Sequence, residues 1–483
     1  MTELHARSLA GLGLVLLVLG VTANGQVHQV GPLSIDSVIV LVPIAILMCL
    51  PYVRRKGIAM LPSYLFGPAV LVFLACGLFS VILNGGHLAS LLTIVRYAAY
   101  FVLTMTVAVA TQDAAVRRLL LWTIGATGGL SAVLALAQYA DPQLTPGMHG
   151  ISAEITTRVV ATFYNSNFYA EYLMLVVGVL IALIFTEGRF GRLTAALASI
   201  IVALALLFTY TRGSWIGLFV GLAVLALIVD FRYLLAIPVI GIAGILLVPG
   251  VRVRIAQADS GSATFRLGLW KVAGEAMRRH PFFGYGPGDF LAAYREVVIT
   301  RTDLFAGYLG FGAHNSYFEL GAEIGVLGAF AFFVVTVVYA TRGLYIGTRK
   351  GADPYTRHVA LGLSVGLVGF IVNTFTSNTF QHPQSGLFFW ILAGIVGGLG
   401  TGLWQQELRE EKLPAVSGTG LLGGSTGLAW LANSRRWVES AWRSSLAFAE
   451  TAQPRPGRSG WFESSVAMRL LFGSGPGKTP EGG

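Results

Sequence analysis

The chain has 483 residues, 55% of them hydrophobic and only 12% charged, with a mean hydropathy of +0.70. A soluble core of that length cannot hide so much apolar side chain, so an ordinary soluble domain is excluded and a polytopic membrane protein is implied. The formal charge of +10 would raise nucleic acid as a partner in a soluble chain; here the basic residues fall mostly between apolar runs, where they report topology.

A spanning helix needs about 20 apolar residues. The first apolar stretch, 9–21, is short and precedes TANGQ, which suits either a signal-peptide cleavage site or a retained first span. In both cases the second segment starts outside. Counting the first, about twelve candidate spans centre near Val15, Leu41, Phe73, Tyr100, Ala126, Val177, Ala203, Ala223, Gly241, Phe330, Leu367 and Leu392. The connections RRKG (54–57), VRR (116–118), EGRFGR (187–192), DFR (230–232) and TRGLYIGTRKG (341–351) are basic. Those around Asn24, Gly85 and Gln381 carry no Lys or Arg. Basic loops at every second position place them, with both termini, in the cytoplasm.

Within the spans, Cys49 and Cys76 read as packing residues, with no disulfide framework and no metal cluster. The pairs Gly217/Gly221 and Gly394/Gly398 have the spacing of close helix contacts. Arg96 and Glu171 are charges at membrane depth, suited equally to a structural ion pair or a substrate contact.

Three outer segments carry the informative polar residues. Segment 140–167 contains Arg158, the short YTRGSW (210–215) contains Arg212, and a loop of about 60 residues, 251–313, contains Arg266. In TFRLGLWKVAGEAMRRH (264–280), Phe265, Leu269, Val272, Ala273 and Ala276 have helical spacing. That predicts an amphipathic helix on the outer bilayer surface, stopped by Pro281 and the glycines of HPFFGYGPGDF. GYGPG (284–288) lacks the βαβ setting of a dinucleotide fingerprint, so it reads as a tight turn around Gly286 that brings backbone to the membrane surface. In GFGAHNSYFELGAEIGVLGAF (310–330), His314 and Asn315 stand at the mouth of an apolar helix, with Glu323 about two and a half turns inside.

A lone arginine at a membrane surface is most often a headgroup anchor. Arg158, Arg212 and Arg266 around one histidine suggest more. Guanidinium groups hold phosphate oxygens bidentately, and an imidazole takes a proton from a hydroxyl near neutral pH. After Trp404 the chain turns polar and rich in Gly, Ser and Pro. The expected organisation is a membrane domain, 1–404, enclosing the loop 251–313, and a flexible cytoplasmic tail, 405–483.

The segments RVVATFYNSNFYAEYL (158–173), TRGSWIG (211–217), RLGLWKVAGEAMRRHPFFGYGPGDF (266–290) and HNSYFELGAEIGVLGA (314–329) follow the order seen in the O-antigen ligase/Wzy-type polymerase superfamily. The chain resembles that superfamily over roughly residues 150–340, with the Arg–Trp–Pro-Phe-Phe-Gly-Tyr-Gly block and His-Asn as the most specific part. Asn165–Ser166–Asn167 departs from the usual Asn-Pro-Asn, and the tail has no counterpart.

The resemblance implies an all-α, GT-C-like fold of about twelve transmembrane helices with a large periplasmic loop. It implies transfer of a glycan from undecaprenyl diphosphate, at the outer face of the bacterial inner membrane, to a hydroxyl. The acceptor is lipid A–core in ligases and another lipid-linked glycan in polymerases. The reaction would invert the anomeric centre without metal or cofactor, and no nucleic acid is involved. Carried over, His314 deprotonates the acceptor, Arg212 and Arg266 clamp the diphosphate, and Arg158 is a secondary contact. Asn315 and Gly286 belong to the surroundings, and Glu323 packs or bonds to another span. Rivals are a solute transporter of the same superfamily, or a scaffold whose arginines only anchor lipid.

Overall fold

A computed structural model describes residues 2–23, 27–30, 33–56, 67–144, 158–163, 165–256, 262–304, 312–349 and 351–410. The tail expected after residue 404 falls mostly outside the described residues. The described chain is helical except for one antiparallel hairpin, β1 (Val27–Val30) and β2 (Leu33–Asp36), between α1 (Glu3–Ala23) and α2 (Ser37–Lys56). There follow α3 (Pro68–Leu83), α4 (Leu88–Ala110), α5 (Ala114–Ala140), α6 (Ser166–Thr186), α7 (Arg189–Phe208), α8 (Arg212–Val229) and α9 (Ala236–Leu247). The large loop holds α10 (Pro249–Ala256), α11 (Ser262–Arg279) and α12 (Phe290–Thr300); α13 (Ser316–Thr348), α14 (Pro354–Thr374) and α15 (Pro383–Glu410) close the chain.

Each expected span coincides with a helix. Ten are long and apolar enough to cross a membrane, while α3 and the Phe231–Gly244 stretch that includes most of α9 are shorter. The apolar windows of α6 and α15 are 78% and 100% buried, whereas those of α7 and α8 are 22% buried. The first two are therefore central helices. On α7, Leu193, Leu197, Ile200 and Leu204 form one exposed stripe, the face a peripheral helix turns to lipid.

The glycine pairs make the expected close contacts. Gly217 and Gly221 lie against the Gly369 and Val365 carbonyls of α14, and Gly394 and Gly398 against the Thr104 and Ala108 carbonyls of α4. Any side chain there would push backbone from backbone. Glu171 is buried, and its carboxylate accepts from Ser377 Oγ (2.6 Å) and Asn373 Nδ2 (3.3 Å); among the described residues it makes no ion pair.

The two kinds of connection sort to opposite ends of the bundle. At one end, Lys56 pairs with Glu3 (2.7 Å), Arg7 with Asp113 (3.3 Å) and Arg118 with Glu187 (2.7 Å). At the other, Asn84 donates to the Gly284 carbonyl (3.2 Å), Thr162 to the Thr22 carbonyl, and the Ser316 amide to the Ser377 carbonyl (3.2 Å).

The loop helix α11 forms as the spacing predicts, but its apolar stripe faces protein. Leu269, Val272, Ala273 and Ala276 pack with Phe290, Ala293, Tyr294 and Val297 of α12 and with Ala313 and Ala322. Two amphipathic helices bury each other's stripes, which removes the reason for either to lie on lipid.

Candidate functional site

The apolar run after His314 is two helical pieces. Gly325 has φ +85° and ψ 164°, so α13 breaks between a short outer piece, 316–324, and a long rod, 326–348. A break inside an apolar segment strands backbone groups that lipid cannot satisfy. The segment 281–286 satisfies them: Tyr285 N donates to the Ala322 carbonyl (3.0 Å), Gly286 N to the Glu323 carbonyl (2.9 Å), and Val326 N to the Pro281 carbonyl (2.9 Å). Gly284 and Gly325 both have positive φ, and a Cβ on either would collide with the opposing backbone. GYGPG is thus a tight turn, as expected, but it plugs the α13 break; Gly286 makes its contact with α13 through its amide. From α3, Ser80 Oγ donates to the Glu323 carbonyl (2.9 Å).

His314 precedes the outer piece of α13, 316–324, which leads down to this plug. Asn315 caps α13, its Oδ1 accepting from the amides of Tyr317 and Phe318 (both 3.1 Å). One turn in, Glu319 reaches back and its Oε2 accepts from Ala313 N at 2.7 Å. His314 is therefore fixed on both sides and has a left-handed backbone, φ +50°. Phe265 of α11 meets its ring edge to face at a centroid distance of 6.2 Å. Burial, and then the neighbouring Arg266 charge, lower the imidazole pKa to about 4, so the ring is neutral at pH 7. Glu323, expected to pack or bond to another span, is buried, with the backbone amides of Gly288 and Phe290 beside its carboxylate. The acid that holds the histidine loop is Glu319, one turn closer.

Arg158 donates from Nε to the Thr209 carbonyl (2.8 Å) and from Nη2 to Asn167 Oδ1 (2.8 Å) and Thr211 Oγ1 (3.0 Å). These bonds fasten the start of α6 to the α7–α8 turn, the platform from which Arg212 opens α8. Gly213 packs on Asn373 and Thr376 at the end of α14, and the next residue, Ser377, accepts from Ser316 N. That end of α14 thereby links the Arg158–Arg212 platform to the His314 helix mouth.

Three non-glycine residues among those described have left-handed backbone: Ala161 (φ 49°), Tyr210 (φ 50°) and His314 (φ 50°). Each conformation costs about 1–2 kcal/mol. All three fall within three positions of Arg158, Arg212 or His314. Strain is concentrated where the sequence placed its chemistry.

Residues 197–333 match the family model described as O-Antigen ligase. That stretch is similar to the O-antigen ligase family. Comparison with curated proteins finds no match. The matched stretch runs from α7 through the α13 break and contains Arg212, Arg266 and His314, with Arg158 outside it. The ten helices long and apolar enough to cross a membrane suit a multi-pass membrane protein, and the match likens residues 197–333 to proteins of the O-antigen ligase type.

The site has two further neighbours that sequence reasoning did not place there. The α14–α15 connection runs beneath His314: Gln381 Nε2 donates to the Ser316 carbonyl (3.2 Å) and Phe380 N to Ser316 Oγ (3.3 Å). It carries His382, whose ring lies against Phe168 of α6 and whose pKa is held well below the usual imidazole range by burial, then by Arg96 and His314. Arg96 comes from α4, beside Tyr97. The one available signal was the cost of an arginine inside a spanning helix. Among the described residues no group of three His, Cys, Asp or Glu side chains has metal-holding geometry.

Proposed function

We propose that this protein transfers a glycan from undecaprenyl diphosphate to a hydroxyl of lipid A–core at the periplasmic face of the inner membrane. The acceptor hydroxyl loses its proton to His314, and its oxygen attacks the anomeric carbon from the face opposite the diphosphate. The carbon–oxygen bond to phosphate breaks with inversion, and Arg212 and Arg266 stabilise the departing diphosphate, so neither metal nor cofactor takes part.

The observation that carries this reading is the neutral His314, fixed by Asn315, Glu319 and a left-handed backbone beside Arg266. A pKa of about 4 makes the imidazole a weak base in the unliganded protein. An adjacent diphosphate offsets the arginine charge and raises the proton affinity of the ring, so the base strengthens when the donor is in place. The same site serves a polymerase if the acceptor is a second lipid-linked glycan.

The test uses purified protein, a lipid-diphosphate glycan and each acceptor in turn, with chelator present. His314→Ala should lower transfer by about 10²–10⁴-fold with donor binding retained. Arg212→Lys and Arg266→Lys should each lose most activity, because lysine keeps the charge without the bidentate fork. Near-normal rates in His314→Gln would remove the base, and transfer abolished by chelator alone would remove the metal-free mechanism.

A further inference from the structure

Arg96 lies in the ninth position of α4 (Leu88–Ala110), about 12 Å along a spanning helix. It forms no hydrogen bond or ion pair with any described residue, and its Nε is buried. An arginine at such depth is costly, and the protein ordinarily lowers that cost with a carboxylate or backbone carbonyls. Here the described ionisable neighbour is His382, which burial keeps neutral and which adds no negative charge. The juxtaposition is set by packing: Tyr97 OH donates to the Phe380 carbonyl and Tyr100 OH to the Pro383 carbonyl (both 3.4 Å), holding α4 against the segment that carries His382. The same segment is bonded to Ser316, two residues from His314.

Arg96 also marks a boundary on α4. Leu88, Leu92 and Val95 on one side are 57%, 40% and 52% exposed and form a face for lipid, whereas Tyr97 and Tyr100 are 1% exposed. A cation without a counter-ion among the described residues, at the seam between a lipid face and a polar interior, suits an anion that arrives attached to a lipid.

We propose that Arg96, with His382 beside it, binds the phosphate oxyanions of a lipid-linked diphosphate admitted along α4, completing from the membrane side the anion site to which Arg212 and Arg266 contribute. This rests on the glycosyl-transfer reading for the identity of the anion. Arg96 supplies a fixed charge and a fork of N–H donors; His382, packed on Phe168, adds a polar ring beside it. Arg96 binds the leaving diphosphate and takes no proton in the reaction.

The experiment measures binding to the full-length protein in phosphatidylcholine nanodiscs. The probes are undecaprenyl diphosphate, undecaprenyl monophosphate, inorganic pyrophosphate and phosphatidylglycerol. Arg96→Gln should weaken undecaprenyl diphosphate by about 10–100-fold, the range for losing hydrogen bonds to a charged group, with Arg96→Lys in between and His382→Gln weakened less. Phosphatidylglycerol should be unaffected by either change. The ligand-free thermal midpoint of Arg96→Gln should not fall, because the buried guanidinium has no hydrogen-bonding partner among the described residues to lose.

Unchanged diphosphate affinity in Arg96→Gln, in protein that transfers glycan, would overturn the assignment and leave the reaction standing. Equal losses for phosphatidylglycerol would make Arg96 a general headgroup anchor and overturn the proposal as well, as would a lowered midpoint without a binding change. Conversely, wild-type protein that binds the diphosphate through Arg96 yet transfers no glycan would sink the enzymatic reading and keep the site.

Discussion

Glu319 is the residue on which the position of His314 depends, and replacing it with alanine tests that dependence. Its side chain is buried, and Oε2 holds the amide of Ala313 at 2.7 Å, one residue before the left-handed turn. Removing the carboxylate leaves a buried N–H without a partner, at a cost of about 1–3 kcal/mol. The left-handed backbone at His314 stores about 1–2 kcal/mol. The two are of the same size, so without the bond nothing local offsets the strain and the loop relaxes toward ordinary backbone angles. At about 1.4 kcal/mol per factor of ten, kcat should fall about 10–100-fold. KM for the donor should stay near wild type, because the arginines are untouched. Glu319→Gln keeps an oxygen for the Ala313 amide and should recover most of the rate. The assay is steady-state glycan transfer by purified variants, alongside thermal unfolding. Wild-type kcat in Glu319→Ala would refute the reasoning, and equal damage from Gln and Ala would show that charge, not the bond, was at issue.

The lowered pKa of His314 fixes a pH dependence with a definite sign. A depressed imidazole pKa keeps the base form populated at higher pH, so kcat/KM should be level from neutral pH downward and fall only near pH 4; a limb at 6.5 would contradict the buried ring beside Arg266. The limb of kcat should lie above that of kcat/KM, because bound diphosphate raises the ring's proton affinity. Gly325→Ala places a Cβ into the backbone of Phe282 at φ +85°, whereas Gly351→Ala, at φ +98°, meets open space. The first should therefore lower the thermal midpoint far more than the second, and equal effects would mean that the 281–286 plug is not needed for stability. Single cysteines at Gly85 and Asp303 should react with an impermeant reagent in cells with a permeabilised outer membrane, while Arg55→Cys and Arg189→Cys should not; the opposite pattern would reverse the orientation.

Hydropathy made the spans legible because lipid imposes one simple demand along the chain. The alternation of basic loops likewise anticipated which connections share an end of the bundle. GxxxG-type spacing located the tight seams because close approach of two helices needs small residues on both. The break in α13 was hidden for a physical reason. Gly325 lies in a continuous apolar run, and the groups that make the break tolerable come from 281–286, some forty residues earlier, which no window of local sequence includes. The separate tasks of Glu319 and Glu323 were invisible for the same cause: helical spacing gives depth, and only the tertiary structure says which acid reaches the loop. Arg158 was legible as a polar residue near the site but not as the fastening of the α7–α8 turn, and His382 joined His314 only through the fold of the α14–α15 connection.

The break at Gly325 also has a mechanical consequence. The outer piece of α13 is bonded to the same 281–286 segment that continues from α11, so Arg266 and His314 ride on one rigid mount. The rod 326–348 hangs below it from a glycine pivot. A rod of that length spans about 34 Å, and a tilt of about 10° swings its far end by about 6 Å while the pivot barely moves. Membranes of different thickness tilt their helices to different degrees. In this protein such tilting is taken up beneath Gly325, and the spacing between the base and its arginine is insulated from the thickness of the bilayer.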